Sequence, residues 1–365
     1  MTRLIVAAGG GGDAVAAAVL HAGLYGDEGP AVVLTYAWDR LTGDRVPGPR
    51  SARDFEGLGA LTPAVRTVPA SARPVAPAGS TLPRLAAESP HTFALLDPRR
   101  GVEGVTRQLE EVVRHLEPES VDLIDVGGDI LAQGTEPTLK SPLADALTLA
   151  AACQVNAPVR LLVAGPGLDG ELPPDELRPL LGAVVHTFTA RDVEPVGGVL
   201  EWHPSEAAAM LAATARGVRG ICEVRGAGPP VALTDEGPKV HAVDLDEAVN
   251  RNRLARAIMT TAALDEVEAY SREICGFSEI DAERAQAARL SERPSGEIDA
   301  DAVSAQLERF EAEARRRGTT HTTFRRLTEA LGLPGSQQEP LRRLVTDSRP
   351  AQYEAPLWRI TATSE

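Results

Sequence analysis

Short apolar runs alternate with amphipathic stretches over the first two-thirds of the chain. The apolar runs have the length of strands and lie at residues 4–8, 31–36, 92–96, 121–126, 159–164 and 183–188. Helical spacing of apolar residues follows at 14–24, 102–116, 142–153 and 205–215. Such alternation is typical of βα units that form a mostly parallel sheet. We therefore predict an α/β fold with a Rossmann-like, doubly wound, mostly parallel sheet of about six strands.

The alternation stops near residue 242. Residues 245–274, 300–317 and 322–331 all show helical spacing, which predicts a helical C-terminal layer packed on the sheet. The segment 42–83 is rich in Pro, Gly and Arg and is predicted to be irregular around short elements such as 64–69. The chain is thus expected to comprise an α/β ligand-binding domain at 1–240, a helical region at 241–335 and an extension at 336–365.

Glycine-rich turns follow three of the predicted strands. Because the carboxyl ends of parallel strands lie on one edge of a sheet, these turns are expected to converge there. A glycine turn can present its N–H groups to phosphate, and the helix that follows adds the positive end of its dipole. We predict that these turns bind a small phosphate-bearing ligand. The residues concerned are Gly9, Gly10, Gly11, Gly12 and Asp13, then Gly127 and Gly128, then Gly165 and Gly167.

The first turn leaves two questions open. No Lys-Ser/Thr pair follows the glycines, so it is not a P-loop, and it fits the dinucleotide fingerprint imperfectly because Ala14 stands at the last glycine position. Asp39 is the nearest acidic residue that could bind a ribose. Asp13 either caps the helix that it opens or contacts the ligand directly.

Carboxylates are densest between residues 122 and 145. Asp125 ends a predicted buried strand, Asp129 follows two glycines, Glu136 follows a third, and Asp145 lies in the next helix. Burying carboxylates is unfavourable unless they are paired, protonated or bound to a cation. We predict these four as catalytic residues, with Asp125 and Asp129 as Mg²⁺ ligands or as acceptors for sugar hydroxyls. For Ser141 and Asp145, helix capping remains an alternative.

Candidate cations and bases are few. Lys140 is one of only two lysines and lies between these carboxylates and the next helix, so it is a candidate phosphate ligand together with Ser141. Arg99 and Arg100 follow another strand and have guanidinium groups that suit phosphate. The histidines form no zinc-binding spacing. His186 is either a general base or an ordinary imidazole.

Composition excludes several partners. The net charge of −15 at pH 7 is spread along the chain, which argues against nucleic-acid binding. The three cysteines show no CxxC pairing, which indicates a reducing compartment. No apolar stretch approaches about 18 residues and no charged leader precedes the first strand, so we expect a cytoplasmic protein without membrane contact. Apolar faces on the C-terminal helices make a homodimer a reasonable expectation.

Three segments carry a family resemblance. LIVAAGGGGD at 4–13, DVGGDIL at 125–131 and GTEPTLKSPLAD at 134–145 resemble the pattern of an uncharacterised bacterial and archaeal family, domain of unknown function 1152. The resemblance covers roughly residues 3–320. It supports the fold and the importance of these loops, and it implies no activity.

These observations favour an enzyme that acts on a nucleotide or a phosphosugar-type metabolite by metal-assisted group transfer at the sugar, with Mg²⁺ as the expected cofactor. One alternative is an oxidoreductase that binds NAD(P) or flavin at the first turn. A second is a non-catalytic nucleotide-binding protein. A third is a metal-assisted hydrolase, lyase or cyclase that acts on another small metabolite.

Overall fold

The structure is a computed structural model that describes residues 2–26, 28–290 and 298–360. Its strands are β1 (Leu4–Ala7), β2 (Val32–Thr35), β3 (Phe55–Glu56), β4 (Gly59–Ala60), β5 (Arg66–Thr67), β6 (Arg73–Pro74), β7 (Thr92–Leu95), β8 (Val121–Val126), β9 (Val159–Ala164), β10 (Val184–Thr187), β11 (Gly220–Glu223), β12 (Val231–Leu233), β13 (Lys239–Val243), β14 (His321–Thr322), β15 (Tyr353–Glu354) and β16 (Leu357–Arg359).

The helices of the same residues are α1 (Gly11–Tyr25), α2 (Leu82–Glu88), α3 (Gly101–Leu116), α4 (Pro142–Ala152), α5 (Pro174–Leu177), α6 (Ala190–Val193), α7 (Gly197–Leu200), α8 (Glu206–Ala215), α9 (Leu245–Arg251), α10 (Arg253–Ile258), α11 (Leu264–Cys275), α12 (Glu279–Leu290), α13 (Ala300–Arg316), α14 (Phe324–Ala330) and α15 (Gln338–Ser348).

One large sheet organises the molecule. Its strand order is β10-β13-β9-β8-β1-β2-β7-β5-β4, and the five central strands from β9 to β7 are parallel. The prediction of an α/β protein with a large, mostly parallel sheet is confirmed. The predicted number of about six strands is wrong, since the sheet has nine. The three strands outside the predicted six are β13, an antiparallel strand that mixes polar and apolar residues, and β4 and β5, which are only two residues long.

The order of the parallel strands reverses beside β1. From β1 the chain builds β2 and β7 on one side and then crosses over to build β8 and β9 on the other. At such a reversal the connections leave the carboxyl ends of neighbouring strands in opposite directions, which opens a crevice between them. The crevice between β1 and β8 is where the candidate functional site lies.

Helices cover both faces of the sheet. The Ala-rich α1 and α8 pack on one face, where α1 is buried along most of its length. The equally apolar α4, together with α3, α10 and α11, packs on the other face. Because Ala side chains are small, α1 and α4 can lie close to the strands while still forming stable helices.

The C-terminal region adds a second sheet with the order β12-β11-β14-β16-β15. Helices α13, α14 and α15 enclose a third apolar cluster with this sheet, around Leu307, Phe324 and Trp358. The prediction was a helical C-terminal layer at 241–335; β14 lies within that range, and β15 and β16 lie in the predicted extension at 336–365. These strands are two or three residues long, too short to show a period.

Two smaller observations complete the fold. The helical pattern over 245–274 is divided into α9, α10 and α11, with Asn252 capping α10 through its side-chain oxygen. The proposed division of the chain into three parts stays a prediction.

Among the described helices, none has both the length and the apolar character needed to cross a bilayer.

Candidate functional site

A pocket of about 150 Å³ opens at the carboxyl ends of β1 and β8. It is bounded by the β1–α1 turn, by the segments that follow β2 and β8, by the start of α4, and by the loop that precedes α8. Eight carboxylic acids and three arginines line it. The acids are Asp13, Asp39, Asp125, Asp129, Asp145, Asp169, Glu171 and Glu206, and the arginines are Arg40, Arg225 and Arg325.

In the β1–α1 turn, the backbone of Gly9 lies directly against the carboxylates of Asp13 and Asp145. A Cβ atom on Gly9 would lie 2.8 Å from Asp13 Oδ2 and 3.2 Å from both carboxylate oxygens of Asp145, so only glycine fits there. Gly10 has a φ of +115° and packs against Trp38 behind the pocket. The turn therefore needs glycine for close approach at one position and for backbone conformation at the next.

Helix α1 begins at Gly11 without a side-chain cap. The Gly9 N–H donates to Asp13 Oδ2 at 2.5 Å, which orients that carboxylate toward the pocket. Among the described residues, the N–H groups of Gly11 and Gly12 have no hydrogen-bond acceptor. These free donors and the helix dipole make the start of α1 electropositive.

Three carboxylates meet beside this turn. Asp13, Asp125 and Asp145 each place one oxygen within 4.8 Å of the others. The side chains of Asp125 and Asp145 are almost completely buried, and Asp125 Oδ2 and Asp145 Oδ1 lack a hydrogen-bond partner in the described part of the chain. Such separations suit oxygens that bind one cation.

Burial and mutual repulsion keep these acids poorly ionised. Burial raises the pKa of Asp13 to about 7, although the Gly9 N–H lowers it in part. Burial also raises the pKa values of Asp125, Asp129 and Asp145 well above the usual range for aspartate, and the charges of neighbouring carboxylates add to each rise. The pKa of Asp169 rises to about 8 for the same two reasons. The cluster is therefore unfavourable without a counter-ion or bound protons.

Further acids cap the turns around the pocket. Glu171 accepts the N–H groups of Lys140 and Ser141 and the hydroxyl of Ser141. Glu279 accepts the Leu143 N–H at 3.0 Å and so caps the start of α4. Ser141 occupies the N-cap position of α4, yet its hydroxyl is committed to Glu171 and makes no cap bond to the helix.

The segment after β2 supplies a second polar edge. The carboxylate of Asp39 accepts both the N–H and the hydroxyl of Thr81, and burial raises its pKa to about 6. Arg40 and Leu41 follow with φ values of +51° and +59°, a conformation that non-glycine residues seldom adopt and that is often found at functional sites. Arg40 lies over the Trp38 ring and pairs with Glu279.

The opposite wall of the pocket comes from more distant segments. Arg225 follows β11 and lies 3.7 Å from Glu206, whereas Arg325 belongs to α14. His203, which is only 6% exposed, lies in the loop that leads to α8. Burial lowers the pKa of His203 to about 3, and its Nε2 has no hydrogen-bond partner in the described residues.

Several residues that the sequence analysis named line the pocket, and others lie elsewhere. Those in the lining are Gly9, Gly11, Gly12, Asp13, Asp39, Asp125, Asp129, Ser141 and Asp145. Glu136 instead accepts the N–H groups of residues 133–135, and Lys140 takes part only through its backbone N–H. Named residues that also lie outside the lining are Gly10, Arg99, Arg100, Gly127, Gly128, Gly165, Gly167 and His186.

The second and third glycine turns act behind the site. The Gly167 N–H donates to the Gly127 carbonyl at 2.6 Å, which joins the turns after β8 and β9. A Cβ atom on Gly127 would lie 2.2 Å from Asp169 Cγ, so this glycine leaves room for the Asp169 carboxyl group at the pocket. His186 lies on β10, where it contacts Asp192 at 3.2 Å.

Sequence reasoning did not identify Asp169, Glu171, His203, Arg40, Arg225 or Arg325 as site residues. Asp169 and Glu171 follow β9 within a glycine-rich turn, so the strand-end argument could have included them. His203 and Arg325 follow no strand of the large sheet, and no pattern in the sequence connects them to the first turn.

A comparison with protein families gives one match. The model of a family described as "Protein of unknown function (DUF1152)" matches residues 4–287. The matched segment ends before the region around 320 that the resemblance was expected to reach. No curated protein and no solved structure matches the chain.

Proposed function

The chain belongs to the DUF1152 family, and we propose that it is an enzyme acting on a phosphate-bearing nucleotide or sugar with a divalent cation held by Asp13, Asp125 and Asp145. One observation carries this proposal. Asp125 Oδ2 and Asp145 Oδ1 are buried and have no hydrogen-bond partner among the described residues, and they lie at the strand reversal where ligands of parallel α/β sheets bind.

A hard divalent cation fits the three carboxylates. Mg²⁺ and Ca²⁺ take oxygen ligands about 2.0–2.6 Å away, which keeps neighbouring ligand atoms within about 3 to 5 Å of each other. The oxygens of Asp13, Asp125 and Asp145 fall within that range. A cation would also reverse the repulsion that raises their pKa values, because the ionised carboxylates would then be paired.

The adjacent helix start supports a phosphate group on the ligand. The free N–H groups of Gly11 and Gly12 lie next to the carboxylates, and helix N-termini of this kind bind phosphate. A cation between the carboxylates and the phosphate would also remove the repulsion between two negative groups. The pocket therefore favours a ligand that brings phosphate and a divalent cation together.

Group transfer at a sugar suits this arrangement. An acceptor with a hydroxyl or amine group would form a bond to the anomeric carbon. The bond from that carbon to the phosphate oxygen would break, and its electron pair would leave with the phosphate. A carboxylate of the cluster would take the acceptor's proton, while the cation and the α1 N–H groups would stabilise the leaving phosphate.

The dinucleotide alternative is supported by Asp39, which follows β2 and lines the pocket. In dinucleotide-binding folds an acid at this place binds the ribose. Here both carboxylate oxygens of Asp39 already accept bonds from Thr81, which weakens the case. A fluorescence titration with NADH separates this function from the proposed one.

Calorimetric titration tests the proposal. We expect the protein to bind Mn²⁺ or Mg²⁺, and then nucleotides or sugar phosphates more tightly in the presence of the cation. Asp145→Asn should weaken cation binding by roughly 100-fold, because losing a ligand exceeds the roughly 10- to 100-fold effect of losing a supporting group. Asp175→Asn, at an exposed position, is the matched control. If both variants bind the cation equally well, the metal site is refuted. If neither nucleotides nor sugar phosphates bind to the wild-type protein, the proposed ligand class is refuted.

A further inference from the structure

We propose that His203, Arg325 and the first N–H groups of α1 form the phosphate subsite of the pocket, with His203 acting as a neutral hydrogen-bond donor through Nε2. This inference rests on the proposed function, because the phosphate would belong to the same ligand. It adds which groups hold the anion, and it assigns one of them to the C-terminal region.

The hydrogen bonds of His203 determine which nitrogen carries its proton. Nδ1 accepts the Ser205 N–H at 3.3 Å, so in the neutral ring the proton lies on Nε2. Nε2 is buried and has no acceptor among the described residues. The buried position lowers the pKa of the ring, so His203 is uncharged at neutral pH. Because this N–H group lines the pocket and has no acceptor in the described residues, it can donate a hydrogen bond to an oxygen of the ligand.

The position of His203 puts this donor beside the start of α1. A Cβ atom on Gly11 would lie 3.7 Å from His203 Nε2, and one on Gly12 would lie 2.5 Å from Ser205 Oγ. The loop at 203–205 is therefore packed directly on the first turn of the helix, an approach that the two glycines allow. His203 Nε2–H and the α1 N–H groups thus present donors to the same small volume, which Asp39 Oδ1 also borders, 3.5 Å from the same Cβ position on Gly11.

Arg325 adds a positive charge that forms no ion pair within the described residues, although Glu206 and Glu283 partly offset it from a greater distance. Its described hydrogen bond is to the Arg40 carbonyl at 3.2 Å, and no described carboxylate lies within 4.0 Å of its guanidinium. By contrast, Arg40 pairs with Glu279 and Arg225 lies near Glu206. Burial and the charges of Arg225 and Arg40 lower the pKa of Arg325 to about 9. An anion in the pocket would relieve this repulsion, and phosphate matches the guanidinium geometry.

The pocket therefore has two chemically distinct sides. Asp125 and Asp145, each with an oxygen that has no partner in the described residues, lie on the side of β8 and α4. His203 and Arg325 present N–H donors on the other side, with the carboxylates of Asp39 and Glu206 near them. A phosphate ester that coordinates a cation with one oxygen and accepts hydrogen bonds with the others satisfies both sides. Arg325 lies outside the segment 4–287 that the family model matches, so this part of the subsite is a feature of the C-terminal region.

The test measures phosphate and cation binding separately on the full chain. Inorganic phosphate is titrated calorimetrically into metal-free protein and into protein saturated with Mg²⁺, and Mn²⁺ is titrated without phosphate. Arg325→Gln and His203→Leu should each weaken phosphate binding by about 10-fold or more, the usual effect of losing a charge-assisted hydrogen bond or leaving a buried partner unpaired. Both should leave Mn²⁺ affinity unchanged. Arg99→Gln, at an exposed arginine outside the pocket, should change neither.

Conservative variants keep the result interpretable if a substitution perturbs folding. His203→Gln restores an N–H donor near the Nε2 position and should retain most of the phosphate affinity, as should the charge-preserving Arg325→Lys. Nitrogen chemical shifts of the His203 ring should show the neutral Nε2–H form. A protonated ring, or a proton on Nδ1, would overturn the donor role.

The remaining outcomes separate this inference from the proposed function. If wild-type protein binds no phosphate in either condition, or if Arg325→Gln and His203→Leu bind it as wild type does, the subsite is refuted. If phosphate binding depends on both residues but Mn²⁺ does not bind, the subsite stands and the cation site of the proposed function fails.

Discussion

Two regions of this molecule hold buried carboxylates in different surroundings. Near the second sheet, Glu223 accepts bonds from Arg317 and Thr319 and lies 3.5 Å from Arg326. In the same region Glu311 accepts the Trp358 indole N–H at 2.9 Å. In the pocket, Asp125 and Asp145 are at least as buried but keep oxygens without partners in the described part of the chain.

The difference separates structural acids from functional ones. A buried carboxylate that is surrounded by donors contributes to the fold, because its desolvation is offset by charge-assisted hydrogen bonds. Carboxylates that are buried together without donors destabilise the empty protein, and proteins retain such groups mainly at functional sites. The contrast predicts opposite responses when a carboxylate of each kind is neutralised.

The largest expected effect is on the free energy of unfolding. Glu223→Gln should lower the free energy of unfolding by about 2 kcal/mol, because Arg317 and Arg326 lose their charged partner. This value is already reduced to account for the solvent exposure of Arg317. Asp145→Asn should raise the free energy of unfolding of the metal-free protein by about 1 kcal/mol at pH 8, since repulsion from Asp125 and Asp13 is removed. Urea unfolding measures both, and a loss of stability in both variants would break the comparison.

The sequence predicted the carboxylate side of the pocket better than the donor side. Gly9, Asp13 and Asp125 lie at the ends of strands with clear apolar patterns, so their position on one sheet edge followed from the parallel topology. Arg99 and Arg100 also follow a strand, β7, but β2 separates β7 from β1 in the sheet, and the two arginines do not reach the pocket.

The donor side could not be predicted because it depends on tertiary packing. His203 reaches α1 through the loop that precedes α8. Arg325 reaches the pocket because β14 pairs with β11, and this pairing places α14 next to the pocket. These contacts join residues that are about 100 to 300 positions apart in the chain, and no period or spacing encodes them. The same limit applies to β13, whose antiparallel pairing with β9 is not evident from its own composition.

A second prediction concerns the pH dependence of stability in the metal-free protein. In the unfolded chain, aspartates are ionised above about pH 5. In the folded protein, the pKa is raised to about 7 for Asp13 and to about 8 for Asp169, so both keep their protons to higher pH. The folded state therefore binds more protons between pH 6.5 and 8, and stability should fall as the pH rises through this window. The slope should be roughly 1 kcal/mol per pH unit for each retained proton.

The window for this measurement lies above the range in which the buried histidines act, but Glu279, whose pKa burial raises to about 7, titrates within it and adds to the fall. The pKa values of His91 and His203 are lowered to about 4 and about 3, so their effect on stability lies mainly below pH 6.5. Urea unfolding at pH 6.5, 7 and 8 gives the slope. Saturating Mg²⁺ should reduce the fall, because the cation stabilises the ionised form of the carboxylates that bind it, Asp13 among them. Stability that rises over this window without a cation would show that the pocket acids are neutralised by the protein itself.

The smallest expected effect comes from Glu136, an acid beside the pocket that has the surroundings of a structural residue. Its carboxylate accepts the N–H groups of residues 133–135 and lies 3.8 Å from Arg251. Glu136→Gln keeps the shape and one acceptor oxygen, so it should lower the free energy of unfolding by only about 0.5–1 kcal/mol. Mn²⁺ affinity, measured by the same titration, should not change. If that affinity falls as it does in Asp145→Asn, Glu136 contributes to the cation site. That result would also mean that hydrogen-bond partners in the metal-free protein do not distinguish structural from functional acids.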